Sequence, residues 1–311
     1  MKKGIFESIR CNICGNDGYE ILYKDRYGDK KIINEEEIIK KFKSSGDEAL
    51  VDQVVRCKKC NLVFVNPRIR QEFIIKGYSE GKDENFVSQV KGREATFSKS
   101  IKLIDRYYGK NSLKKGKILD IGTAAGSFLH AAKKDGWRIY GIEPNRWLCR
   151  WGKKHYGIDI KLGTIFDNKF KSSYFDAVTL WDVLEHTPDP KKVLDECGRL
   201  LKKDGLIAIN YPDIGSWIAK LLGRRWVFLL SVHLFYFDRK TIRNILEKEG
   251  FRVLLFKPHY QRLSLGYLIY RMRAYSNFLH RIGSFFAGAL RIENTQVPYW
   301  LGQTLVIAKK K

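Results

Sequence analysis

Two groups of residues have the types and spacing to do chemistry. Cys11-x-x-Cys14 and Cys57-x-x-Cys60 supply four thiolates, the ligand set of a closed tetrahedral Zn2+ site. An iron–sulfur cluster is the alternative occupant of the same four sulfurs. A closed site leaves no position for a substrate, so its role is structural. Binding would contribute on the order of 10–16 kcal/mol to a module too small to hold its own core. The second group is a tight turn. Gly122 and Gly126 stand four apart with Ala124 and Ala125 between them, so backbone can approach a ligand closely. Glu143 closes the next expected strand, where a carboxylate can accept both hydroxyls of a ribose. Neither G-x-G-x-x-G nor G-K-[ST] is present. Asp120, at the mouth of the first strand, would repel a pyrophosphate and attract a cationic amino acid–sulfonium ligand.

These groups need elements to hold them. Val54–Arg56 and Leu62–Val65 flank the second cysteine pair like two short strands, and Asn34–Phe42 reads as a helix between the pairs. Phe97, Ile101, Ile104 and Tyr108 recur at helical spacing within residues 85–109. From Lys117 onward strands and helices alternate. Strands are expected at Lys117–Ile121, Arg138–Ile142, Asp159–Leu162, Phe175–Leu180, Gly205–Asn210, Arg252–Phe256 and Thr304–Ala308. Helices fit at Ser127–Asp135, Asn145–Tyr156, Pro190–Lys202 and Arg239–Glu249, the third of these capped by Asp189 with proline at its first position. The pattern predicts an α/β fold with a doubly wound, Rossmann-like sheet of seven strands, its ligand site at the carboxyl ends of the strands. Residues 1–75 are expected to form a zinc-ribbon-like module and residues 76–311 the α/β domain. Residues 213–237, between the fifth strand and the next helix, are expected to form a lid over the ligand site, and residues 257–300 a basic aromatic segment. Cys149 and Cys197 fall in helices and read as small core residues.

Several stretches carry a resemblance. They are Ile118-Leu119-Asp120-Ile121-Gly122-Thr123-Ala124-Ala125-Gly126, then Gly141-Ile142-Glu143-Pro144-Asn145, then Tyr174-Phe175-Asp176-Ala177-Val178-Thr179-Leu180-Trp181-Asp182-Val183-Leu184-Glu185-His186, then Leu200-Leu201-Lys202-Lys203-Asp204-Gly205. Over about residues 85–311 the chain resembles the class I S-adenosylmethionine-dependent methyltransferases. The resemblance implies that Asp120, Gly122, Thr123, Ala124 and Gly126 hold the methionine part of the donor and Glu143 its ribose. Ile165 would meet the adenine, and Trp181 would line the pocket near the sulfonium, unless it is an ordinary core aromatic. Two departures stand out. Ala124 replaces the usual middle glycine, and no acidic residue follows the third strand, where Gly163-Thr164-Ile165-Phe166 stands. The cysteine pairs ahead of such a domain, with Arg56-Cys57-Lys58-Lys59-Cys60-Asn61-Leu62-Val63-Phe64-Val65-Asn66-Pro67-Arg68, look like enzymes of polysaccharide and deoxysugar biosynthesis.

Methyl transfer to a hydroxyl benefits from a base, and two histidines are candidates for that catalytic role. His186 follows the fourth strand. A helical turn there would set Asp182, Glu185 and His186 on one face. The same run in ubiquinone-type O-methyltransferases is linked to a divalent ion, which implies a possible second metal at Asp182, Glu185 and His186; backbone satisfaction near the Asp189 cap is the alternative. His233 lies in the apolar run Trp226–Phe237, either meeting substrate or satisfied in the core. Tyr211 and Asp213 are expected to face the same pocket.

Composition bounds the partners. The 311 residues carry a net charge of +24, and from Ile214 to the end 17 Lys/Arg face 4 Asp/Glu. Lys257 to Ile292 contains no carboxylate. Such a surface attracts phosphates of nucleotide-sugars, anionic lipid or RNA. Arg262, Arg271, Arg273, Arg281 and Arg291 interleave with Tyr267, Tyr270, Tyr275, Phe278, Phe285 and Phe286, as on an interfacial helix, an RNA-stacking face, or a helix packed on its own domain. No signal peptide is recognisable and the longest apolar run is too short to span a bilayer, so a cytoplasmic chain is expected, peripheral to the inner membrane face at most. The favoured acceptor is a small-molecule or lipid-linked saccharide. An RNA methyltransferase similar in layout to zinc-bearing guanine-N1 rRNA enzymes is the alternative, and a non-catalytic RNA- or membrane-binding protein a third.

Overall fold

The computed structural model describes residues 4–26, 50, 52–109, 115–273 and 276–311; the helix expected at Asn34–Phe42, and Tyr275, lie outside them. Seven strands make the central sheet: β1 (Lys117–Ile121), β2 (Arg138–Glu143), β3 (Lys161–Leu162), β4 (Phe175–Trp181), β5 (Leu201–Pro212), β6 (Phe251–Pro258) and β7 (Gln303–Lys310). Their order is β6-β7-β5-β4-β1-β2-β3, and β7 alone runs antiparallel to its neighbours. β1, β4 and the second half of β5 are almost wholly buried, as expected of central strands covered on both faces. The expected strands are all present. β3 is only two residues, exposed at the sheet edge. β5 is longer than expected, with a register shift between Leu201 and Leu206. The order reverses between β1 and β4, so the ends of these two strands open a crevice.

Two additions enclose that crevice. The first is the cysteine-bearing segment. Strands Tyr19–Tyr23, Val54–Cys57 and Val63–Val65 form an antiparallel sheet, and a fourth strand, Phe235–Tyr236, comes from the segment beyond β5. Trp226, Leu229 and Tyr236 pack with Val54, Val63 and Val65 in one buried cluster. The apolar run Trp226–Phe237 is thus the glue between the N-terminal sheet and the catalytic domain. The loop inside the first cysteine pair also docks. Asn12 donates from Nδ2 to Asp189 (2.8 Å) and accepts from the Lys191 amide (3.0 Å), at the start of helix Pro190–Leu200. Arg68 donates to Glu7 and to the Pro188 carbonyl, both within 2.9 Å.

The second addition lies between β6 and β7. A hairpin of Gln261–Ser264 and Gln296–Tyr299 carries helices Leu265–Met272 and Asn277–Ala289 at its tip. The hairpin leans on helix Val90–Tyr108. Thr96 Oγ1 accepts the Arg262 amide and Gln89 Oε1 the Ser264 amide. A Cβ at Gly92 would sit 2.4 Å from the Arg262 carbonyl oxygen. The contact therefore exists only because residue 92 has no side chain. Gly92→Ala should force the hairpin off the helix and lower stability by about 1–3 kcal/mol. An unchanged thermal melting curve would contradict this packing.

Candidate active site

The turn after β1 is built for close approach. Gly122, Ala124 and Gly126 all have positive φ, at 64°, 49° and 83°. Ala124 thus keeps the left-handed geometry that a glycine adopts freely, at a cost of about 1–2 kcal/mol. Glu143, at the end of β2, is completely buried, and its carboxylate accepts the amides of Ala124 and Asn145, both at 2.8 Å. Tyr78 adds a third bond from the helix Gln71–Glu80 above it. Burial lifts Glu143 to about 7 against these bonds. Asp120 ends β1, receives the Thr179 hydroxyl at 2.6 Å, and is likewise pushed up to about 7 by burial. Two buried carboxylates beside an open turn form a site suited to a cation. A sulfonium–ammonium ligand would supply positive charge there, and Gly122, Ala124 and Gly126 keep the turn small enough for close approach. The residues present therefore fit S-adenosylmethionine.

A cavity of about 350 Å3 extends from this turn. Asp120, Gly122, Thr123, Ala124, Ile165 and Trp181 all line it. Trp181 is at once core and lining, packed on Phe97, Phe128 and His259 with its Nε1 unpartnered. Gly126 and Glu143 lie behind the surface. Glu143 acts on the cavity through Ala124 and Tyr78, which do line it.

His186 and His233, 47 positions apart in sequence, meet at the far side with rings 4.7 Å apart. His186 Nδ1 lies 2.9 Å from the Val232 carbonyl and His233 Nδ1 2.8 Å from that of Phe228. A carbonyl needs a donor, so each Nδ1 carries the proton and each Nε2 keeps its lone pair. Burial lowers His186 to about 4; burial and the neighbouring His186 take His233 well below its ordinary value. Glu185 is buried with both carboxylate oxygens unpartnered, and burial raises it strongly. Ligand atoms of Glu185, His186 and His233 lie within 4.8 Å of one another.

Asp182 does not join them, contrary to the sequence expectation. Its φ is +53° and the following turn, Leu184–His186, is 3-10, so the i, i+3, i+4 face never forms. Asp182 instead accepts from Asn210 (2.6 Å) and Gln261 (3.1 Å). Tyr211 and Asp213 are also misplaced by the sequence. Strand alternation turns Asn210 and Pro212 to the cavity and Tyr211 away, and Asp213 binds Thr304 and the Gly215 amide elsewhere.

Arg93, His259 and Tyr299, which sequence reasoning did not single out, line the cavity together with Arg262, Tyr267 and Arg271, which it read only as part of a basic aromatic segment. They come from helix Val90–Tyr108, the hairpin and its first helix, except His259, which follows the end of β6. Arg93 stacks on Phe86, its carbon Cζ 3.9 Å from the ring centre, and its Nε is buried without a partner. The signal available was the carboxylate-free stretch after Lys257, which holds two of these arginines.

The four cysteine sulfurs also converge within 4.8 Å. Cys11 and Cys60 Sγ are 3.3 Å apart, and Cys14 and Cys57 Sγ 3.5 Å. Burial pushes Cys57 up, but amides of Cys60 and Lys59 outweigh it and bring the thiol down to about 7. Asn61, just after the second pair, takes the left-handed conformation with φ +62°. The cluster is compatible with a zinc ribbon.

A Rossmann-like sheet with a glycine turn at its switch point and a cation-seeking carboxylate pair defines a nucleoside-binding α/β domain. Residues 93–255 match the family model described as a methyltransferase domain, and the chain belongs to that family. It carries a class I S-adenosylmethionine-dependent methyltransferase domain. A ubiquinone biosynthesis O-methyltransferase of Yersinia enterocolitica is 28% identical over 136 residues, 41% of this chain and 56% of that protein. The uncharacterized protein MJ1123 of Methanocaldococcus jannaschii is 32% identical over 112 residues, 36% of this chain and 52% of that protein. The chain thus spans about half the length of these curated relatives. Among solved structures, a methyltransferase complexed with the Trm112 methyltransferase activator of Haloferax volcanii aligns with a TM-score of 0.50 at 15% identity, covering 73% of this chain and 95% of that one. That likeness is one of fold.

A Cβ at Gly122 would lie 2.7 Å from Val183 Cγ2, at a φ that side chains rarely adopt. Gly122→Ala should weaken S-adenosylmethionine binding at least about tenfold by calorimetry, whereas Ala124→Gly should retain it. Equal affinity in the Gly122 variant would show that the turn does not meet the donor.

Proposed function

We propose that this chain methylates an oxygen or carbon of an anionic saccharide intermediate, nucleotide- or lipid-linked. The observation that carries the reading is the single cavity joining the donor turn to a wall with three arginines. Bound S-adenosylmethionine supplies an activated methyl group. Glu143, held by two amides and lying behind the turn, would take the ribose hydroxyls. Asp120 and the amides of the 122–126 turn take the amino-acid end, Ile165 flanks the adenine, and Trp181 bounds the space beside the sulfonium. Arg93, Arg262 and Arg271 suit a phosphate or carboxylate of the acceptor. Positioning of the acceptor in line with the methyl group would then account for much of the rate.

Glu185, His186 and His233 are proposed to hold a divalent cation, with His233 in the place first expected of Asp182. An unpaired buried carboxylate beside two imidazole lone pairs supports this, since such a charge is costly without a partner. Such an ion would polarise an acceptor hydroxyl and favour its loss of a proton. Residues 1–75 are proposed to fold around one Zn2+ at Cys11, Cys14, Cys57 and Cys60. Its purpose is to seat Asn12 and Arg68 on the 188–191 segment beside this cluster.

Labelled methyl transfer tests the acceptor directly, with nucleotide-sugar, lipid and RNA fractions offered separately. Label should enter the saccharide-bearing fractions and fall at least about tenfold in His233→Ala. Label confined to RNA would overturn the proposal. Cys57→Ser should release about one zinc per chain and lower the melting temperature. Metal analysis showing full retention would rule out the four-thiolate site.

A further inference from the structure

Helix Asn277–Ala289 is amphipathic in the wrong sense for a soluble packing element. It meets helix Leu265–Met272 through its small residues. Gly283 abuts Ile269, Ala287 is buried, and His280 Nδ1 lies 3.1 Å from the Ile269 carbonyl. The large apolar side chains face outward. Phe278 and Phe285 are each 71% exposed and Leu290 64%, with Leu279, Ile282 and Phe286 also exposed between them. Spacings of three, four and seven residues put these six side chains on adjoining rows of one face. A contiguous exposed patch of this kind marks an interaction surface. It also excludes the expectation that this segment merely packs on its own domain.

Charge identifies the occupant. Arg273, Arg281 and Arg291 are exposed around the patch, and no carboxylate occurs from Lys257 to Ile292. A second copy of the chain would bring the same arginines together. RNA would find few flat platforms, since half of the six apolar side chains are aliphatic. An anionic bilayer satisfies both features: hydrocarbon receives the Phe–Leu–Ile face while headgroup phosphates meet the arginines. No helix among the described residues is long and apolar enough to cross a membrane, so the contact would be superficial. The patch is also tied to the cavity, because Tyr267 and Arg271 of the helix beneath it line the acceptor wall.

We propose that helix Asn277–Ala289, with its flanking arginines, is a membrane-docking surface for anionic lipid that holds the acceptor cavity against the bilayer. The inference goes beyond methyl transfer, since vesicle binding requires neither donor nor acceptor.

The test is co-sedimentation of the full chain with vesicles of phosphatidylcholine alone and of phosphatidylcholine with phosphatidylglycerol. Binding should be at least about tenfold stronger to the anionic vesicles and weaken in high salt. The triple variant Phe278→Ser, Phe285→Ser, Phe286→Ser should lose it while melting temperature and S-adenosylmethionine affinity stay unchanged. The proposal is overturned if the wild-type chain ignores both vesicles, or if the variant sediments like wild type. It also fails if the same substitutions abolish dimerisation or RNA binding in a chain that does not bind vesicles.

Discussion

The carboxylate of Glu143 is the point on which the site turns. It ties three pieces of chain together: the glycine turn after β1 through the Ala124 amide, the cap of helix Arg146–Tyr156 through the Asn145 amide, and the helix Gln71–Glu80 through Tyr78. Asn145 continues the link, donating from Nδ2 to the carbonyls of Tyr78 and Gly81. A carboxyl group buried this deeply is tolerated because several donors surround it, and burial still pushes its affinity for a proton up. The same group that shapes the empty turn thus has reason to welcome further hydroxyl donors and a neighbouring cation.

The second half of the site depends on elements far from that turn. The 185–190 segment is gripped from outside by the cysteine-bearing sheet, through Asn12 and Arg68. It is gripped from inside by the Trp226–Phe237 run, where Leu234 donates to the Glu185 carbonyl. His186 and His233 meet because their segments are held together in this way. A fault in the cysteine cluster would therefore reach the acceptor side of the cavity without touching the donor turn, which rests on β1 and β2.

The turn side of the cavity was legible in the sequence because it is local. Asp120, Gly122 and Gly126 lie within one strand–turn–helix unit, and Glu143 at the end of the next strand, so period and spacing locate them. The strands were legible for a similar reason, as short runs of strand-forming residues bounded by turns, most of them buried. The acceptor half was not. Arg93, Arg262, Arg271 and Tyr299 are distant in sequence and converge only through the hairpin seated on Gly92. The exclusion of Asp182 depends on one left-handed residue, which no side-chain pattern announces. The outward face of helix Asn277–Ala289 was equally hidden: hydrophobic spacing marks an apolar stripe, but not whether that stripe or the Gly283–Ala287 stripe meets the protein.

The central claim is that an acidic side chain behind a tight turn secures a sulfonium donor. Calorimetric titration of S-adenosylmethionine into Glu143→Ala and wild-type protein tests it most directly, with NAD and ATP titrated in parallel. The account predicts saturable donor binding to wild type, its loss in the variant, and no binding of either phosphate nucleotide. Unchanged donor affinity in the variant, or a phosphate nucleotide bound in the donor's place, would contradict it.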